Sequence, residues 1–150
     1  MKVIKIISGG QTGADRGALI GASNVALPTG GTAPRGYRTE RGNDPTLKEF
    51  GVVEHSSREY VPRTRANVHN SDGTVWFGKV GSPGYHATKR AAELADKPFL
   101  INPTTEQLKE FAVGKSVLNI AGNRESKNPG IQETVRSTIE LAFWNMAGQV

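Results

Sequence analysis

The chain has 150 residues, no cysteine, and 19 Lys and Arg against 14 Asp and Glu, for a formal charge of +5. One domain spanning residues 1–150 fits this length and can bury roughly two thirds of the surface its unfolded chain exposes. The missing cysteines exclude a disulfide framework, a thiolate metal site and a cysteine nucleophile, and no apolar run approaches the roughly 18 residues that cross a bilayer.

The first β-branched run, at residues 3–8, predicts a strand that stops at the polar, glycine-dense turn "SGGQTGADRG". A helix follows from near Thr12. Two readings of the turn compete. In one, Gly10 turns the chain, Thr12 caps the helix, Asp15 favours the positive end of its dipole, and Ala14, Gly17, Ala18 and Gly21 allow close packing. In the other, the turn cradles a phosphate. Further strands are expected at residues 51–54, 74–77, 98–101 and 116–121, with helices starting near Pro62, Pro83, Thr104 and Pro129. Thr104 and Gln107 have capping-box spacing, and Asn128 before Pro129 reads as a cap followed by proline in the first turn. In the last helix, Ile131, Val135, Ile139, Ala142, Phe143 and Met146 form a core stripe. Leu141 and Trp144 widen that surface, implying either a deeply buried helix or a subunit interface of a homo-oligomer.

The strands are short and lack polar alternation, as in a sheet covered on both faces. Regular alternation with helices implies right-handed crossovers. The expected fold is therefore α/β, a three-layer Rossmann-like domain with a mostly parallel sheet of about five strands.

In such sheets ligands bind beyond the carboxyl ends of the strands. Three loops there combine glycine with hydroxyl, amide or basic groups: "SGGQTGADRG", "GKVGSPGYHATK" and "AGNRESKNPG". Each leads into a helix N-terminus, which favours an anion. The first lacks the Lys-Ser/Thr pair of a P-loop and the G-x-G-x-x-G spacing. The last clusters Asn123, Arg124, Glu125, Ser126 and Lys127, more polar groups than a corner requires.

"SGGQTGADRGAL", "VPRTRANVHNSDGTV", "KPFLIN" and "LNIAGNRESKNPGI" occur in an order that resembles the circularly permuted YpsA branch of the SLOG superfamily, whose members are often labelled molybdenum cofactor carriers. The resemblance implies a Rossmann-like fold and a pocket for a nucleotide or a similar phosphorylated ligand, with a pterin phosphate as a further candidate. By matching motif it assigns Gly9, Gly10, Thr12, Gly13 and Asp15 to the first wall of the pocket. The second block contributes Arg63, Thr64 and Asp72, with Asn67 expected on a solvated helix face and Ser71 in the turn before the third strand. The last block contributes Gly122, Asn123, Arg124, Glu125 and Ser126.

One stretch departs from the resemblance. Relatives in the wider superfamily that cleave nucleoside monophosphates, and the cofactor carriers as well, carry P-G-G-x-G-T-x-x-E, whereas "PGYHATKRA" keeps Pro83, Gly84 and Thr88 and places Tyr85, Ala87 and Ala91 at the other positions. Glu93 lies roughly 200° further around a helix from the missing glutamate and cannot replace it. Phosphate binding by Gly84 and Thr88 survives this change; acid–base chemistry there does not. Tyr85 either stacks on a ligand ring or packs internally. His55, His69 and His86 lack metal-site spacing, and no metal is expected.

The sequence therefore favours a carrier or sensor of an anionic small molecule, either molybdenum cofactor or a nucleotide. The rival is a hydrolase of nucleotide N-glycosidic bonds using Glu125 or Asp15. Basic residues interleaved with acids argue against a nucleic-acid face. No membrane partner is expected, and the N-terminal residues lack a signal-peptide pattern, so the expected setting is cytoplasmic.

Overall fold

In a computed structural model that describes residues 4–145, the chain runs β1 (Lys5–Ser8), α1 (Ala14–Asn24), β2 (Thr29–Ala33), β3 (Arg38–Thr39), β4 (Gly42–Asn43), β5 (Val52–Glu54), α2 (Tyr60–His69), β6 (Gly73–Phe77), α3 (Pro83–Ala95), β7 (Phe99–Ile101), α4 (Thr105–Ala112), β8 (Val117–Gly122) and α5 (Ile131–Phe143). Single 3-10 turns cover Arg35–Tyr37 and Pro45–Phe50. Six strands form one parallel sheet in the order β5-β2-β1-β8-β6-β7, and β3 and β4 pair antiparallel as a separate ribbon. This is the expected Rossmann-like architecture with one more strand in the sheet.

The additional strand is β2, "TGGTA", whose two central glycines are poor strand formers. Gly31 is required here. A Cβ on Gly31 (φ +125°) would lie 2.0 Å from the Ser8 carbonyl oxygen, so a side chain there would push β2 off β1.

On one face of the sheet α1, α4 and α5 bury Ala14, Ala18, Leu108, Val135, Ile139 and Phe143 against Ile4, Ile6, Leu118 and Ile120. On the other, Val68 of α2 packs with Ala91 and Ala92 of α3. The stripe expected on α5 is buried from Ile131 to Phe143; Met146 lies outside the described residues. Leu141 and Trp144 are 60% and 68% exposed, so α5 is not buried on all sides. Among the described residues no helix is long and apolar enough to cross a membrane.

Two of the expected caps change. The capping box of Thr104 and Gln107 closes in both directions, at 2.9 and 3.2 Å. Asn128, however, does not cap α5: Gly130 holds that position, and the Glu125 carboxylate accepts from Gly130 N–H at 2.7 Å and Gln132 N–H at 3.1 Å. Nor does Thr12 cap α1, which Gly13 precedes at φ +81°.

Candidate functional site

The strand order sets β1, β8 and β6 side by side, so the three glycine-polar loops meet at the carboxyl edge of the sheet. A cavity of about 610 Å³ opens there, against the side of the sheet that carries α2 and α3. Its size is that of small-molecule sites. Gly9 and Asp15 line it from the first loop and α1, Arg63 and Thr64 from α2, Gly84 and Thr88 from α3, and Gly122, Asn123 and Arg124 from the end of β8.

The glycines have a different purpose from the one expected. A Cβ on Gly9 would lie 1.5 Å from Arg63 Nη1, and one on Gly13 would lie 2.4 Å from the Asn123 carbonyl oxygen. Likewise the space beside Gly10 is filled by Leu47, and that beside Gly122 by the Phe77 carbonyl and Ala14. Their missing side chains admit other parts of the protein. Gly84 is the exception, with only Trp76 at 3.6 Å from its Cβ position.

Thr12, Glu125 and Ser126 are close neighbours and are not among the residues that line the cavity. Glu125 N–H donates to Thr12 Oγ1 at 3.2 Å. The Thr12 hydroxyl donates in turn to Glu40, in the turn between β3 and β4, and Glu40 also accepts from the Ser126 hydroxyl and from Ser126 N–H at 3.2 Å. Burial opposes ionisation of Glu40, but the Ser126 and Thr12 bonds outweigh it and hold its carboxyl below the usual range. Glu40 thus joins the first and last loops by their hydroxyl donors, a role that no sequence motif signals. Both Glu125 oxygens accept from the start of α5, so in the structure this carboxylate, the acid–base candidate of the rival reading, caps the helix.

Asp72 is displaced further. It lies just before β6, at the amino edge of the sheet, where its Oδ2 accepts from Ser116 N–H at 2.8 Å and Val117 N–H at 2.9 Å. The carboxylate fastens the start of β8 and is not among the cavity residues. Asn67 also departs from expectation: it is buried, and its amide bridges both backbone groups of Thr32, at 2.8 and 2.9 Å. Tyr85 packs internally, edge-on to Trp76 with ring centroids 5.5 Å apart.

The cavity is rich in donors. Arg63, Lys79, Arg124 and Lys127 supply four cations. Arg63 Nη1 donates to Asp15 Oδ2 at 3.1 Å, and that oxygen also accepts from Gln11 N–H. Burial raises the Asp15 pKa despite the opposing charge of Arg63. Three buried donors on lining residues, Gln11 Nε2, Arg63 Nε and Trp76 Nε1, meet no acceptor. The Gln11 amide cannot turn to relieve this, because its Oε1 already accepts from Thr12 N–H at 3.0 Å and Glu40 N–H at 2.9 Å. Asn123 is held the same way, its Oδ1 accepting from Lys79 N–H and the Asn128 amide, which turns its own amide group outward as a donor. Tyr60, Trp76, Lys79 and Lys127 complete the wall. Lys79 and Lys127 sit within the loops that the sequence marks, whereas Tyr60 and Trp76 read only as helix and strand residues.

Among curated proteins none matches this chain. A crystal structure described as that of "Putative molybdenum carrier protein" from Syntrophus aciditrophicus SB is similar, with 34% identity and a TM-score of 0.83 over 93% of this chain and 94% of that one. A structure of (E)-4-hydroxy-3-methyl-but-2-enyl diphosphate reductase aligns with 17% identity and a TM-score of 0.39, over 92% of this chain and 59% of that one, too distant a likeness to carry argument. The sequence profile of the circularly permutated YpsA SLOG family matches residues 6–143, and the chain belongs to that family.

Proposed function

We propose that this protein binds a phosphorylated heterocycle, either a nucleotide-derived ligand or the pterin phosphate of molybdenum cofactor, and carries or senses it. The observation that carries the reading is the gathering of four cations, Arg63, Lys79, Arg124 and Lys127, in one cavity wall. These side chains match an anion, and Trp76, Val61, Pro83 and Ala87 offer apolar surface to a ring. The similar protein named as a molybdenum carrier supports a cargo-holding role. A hydrolase is disfavoured because the Glu125 carboxylate is engaged by the start of α5 and Ala91 offers no acid–base group on α3.

Native mass spectrometry of the purified protein, with a thermal-shift panel of nucleotides, ADP-ribose, molybdate and pterin phosphates, tests this reading. The expected result is a copurifying phosphorylated species, or at least one ligand that raises Tm and loses that effect in Arg124→Ala. An empty protein that responds to none of the panel would overturn it. Exposed Leu141 and Trp144 support self-association through α5, which light scattering on the wild type and Trp144→Glu tests.

A further inference from the structure

Tyr60, the first residue of α2, is half-buried and lines the cavity. Its ring centroid lies 4.7 Å from the Arg38 guanidinium carbon, 5.4 Å from that of Arg63 and 5.3 Å from that of Arg124. With all three within 5.4 Å of one point, no two can be more than about 11 Å apart. Three like charges gathered on one ring repel one another, and the ring offsets only part of that repulsion.

Their compensation is uneven. Arg63 has the Asp15 carboxylate. Arg38 has only the Arg58 carbonyl oxygen, 3.0 Å from its Nη1. Arg124 donates to no described residue and is held by the Tyr60 ring and the charge of Glu40. Lys79 and Lys127 sit in the same wall, Lys79 Nζ donating to the Lys127 carbonyl oxygen at 2.9 Å. After Asp15 is set against Arg63 and Glu40 against Arg124, three cations remain, whereas one phosphate monoester brings a charge of roughly −1.5 to −2.

Resting on the phosphorylated-ligand reading above, we propose that Arg38 and Arg124, held against Tyr60, form a second anion subsite at the cavity rim, and that the ligand carries a diphosphate and not a single phosphate. Arg63, Lys79 and Lys127 take one end of the ligand, and the Arg38 and Arg124 forks take the outer phosphoryl group. The arginine preference is chemical: a planar fork stacked on a ring keeps its N–H edge free for oxygen, whereas a lysine ammonium is not oriented by stacking.

Isothermal titration with inorganic phosphate, pyrophosphate, AMP and ADP at fixed pH and salt tests the subsite. Pyrophosphate is expected to bind at least tenfold more tightly than phosphate, and ADP than AMP. Arg38→Ala should weaken pyrophosphate at least fivefold more than it weakens phosphate. Arg41→Ala removes an equal charge from the neighbouring turn and controls for the general field; it should show no such split. Tyr60→Leu, with its fold verified by circular dichroism, should reproduce the Arg38→Ala pattern. Equal affinities for the mono- and diphosphate forms, or matching effects of Arg38→Ala and Arg41→Ala, would overturn the second subsite and leave the binding reading standing. No binding of any of the four would overturn the second subsite, and the pterin phosphates of the thermal-shift panel would then decide the binding reading.

Discussion

Arg63 Nη1 occupies the space in which a Gly9 side chain would sit, and from there reaches Asp15 Oδ2 at 3.1 Å. The pair joins α2 to the first turn of α1 and forms part of the cavity wall. With side chains only 12% and 6% exposed, it behaves as a buried ion pair. Removing one partner strands the other. Arg63→Ala is therefore expected to destabilise the fold by about 3 kcal/mol, roughly 6 to 12 °C in Tm for a chain of this size. Gly9→Ala should act through the same contact by expelling the guanidinium. Calorimetry on both variants checks the expectation; a Gly9→Ala protein as stable as wild type would refute it.

Asp15 and Glu40 give opposite pH signatures. The folded pKa of Asp15 lies above its ordinary value of 3.8, because burial outweighs Arg63, so the folded state holds that proton more tightly. Its contribution is fully present below the unfolded pKa and is lost as pH rises through the folded pKa. Glu40 lies below its ordinary value of 4.5, so its contribution is present above that value and is lost on acidification through the folded pKa. Urea titrations from pH 3 to 8 should show Asp15→Asn losing the decline on the alkaline side and Glu40→Gln losing the decline on the acid side.

Glu40 joins two loops through Thr12 and Ser126. Glu40→Ala should leave the sheet intact and loosen those loops. Hydrogen exchange is the direct measurement: the amides of Glu125 and Ser126 should exchange faster while those of β1 and β8 keep their protection.

Glu125 is expected to behave as a cap. Glu125→Ala should lose about 0.5–2 kcal/mol of stability, as a lost N-terminal cap does, with ligand-induced thermal shifts retained. Loss of ligand response at full stability would instead return the carboxylate to the site.

Trp76 tests the apolar part of the cavity wall. Phe presents less ring surface and lacks the indole N–H, which meets no partner among the described residues. Trp76→Phe should weaken ligand binding several-fold through the lost ring contact. The lost indole volume costs stability, and the removed unsatisfied donor offsets part of that loss. A thermal-shift titration against the ligand identified by mass separates the two effects.

What the residues determined by themselves was local and periodic: five of the six strands in the main sheet, five helices near their expected starts, the Thr104–Gln107 box and the α5 core stripe. These follow from side-chain spacing and capping chemistry, which act over a few residues. The loops at the ends of β1, β6 and β8 were legible for the same reason, since parallel topology carries them to one edge. The use of each polar group was not legible. Asp72 and Asp15 are both carboxylates beside a strand, yet one fastens the start of β8 and the other pairs with Arg63 in the cavity wall. Glu40 and Tyr60 carry no motif, because their partners lie dozens of residues away. Only the tertiary structure decides such matters: whether a hydroxyl, a carboxylate or a glycine's empty side faces the cavity or another loop depends on contacts between segments distant in the chain. β2 follows the same rule, its Gly31 poor by propensity and necessary by the approach of Ser8.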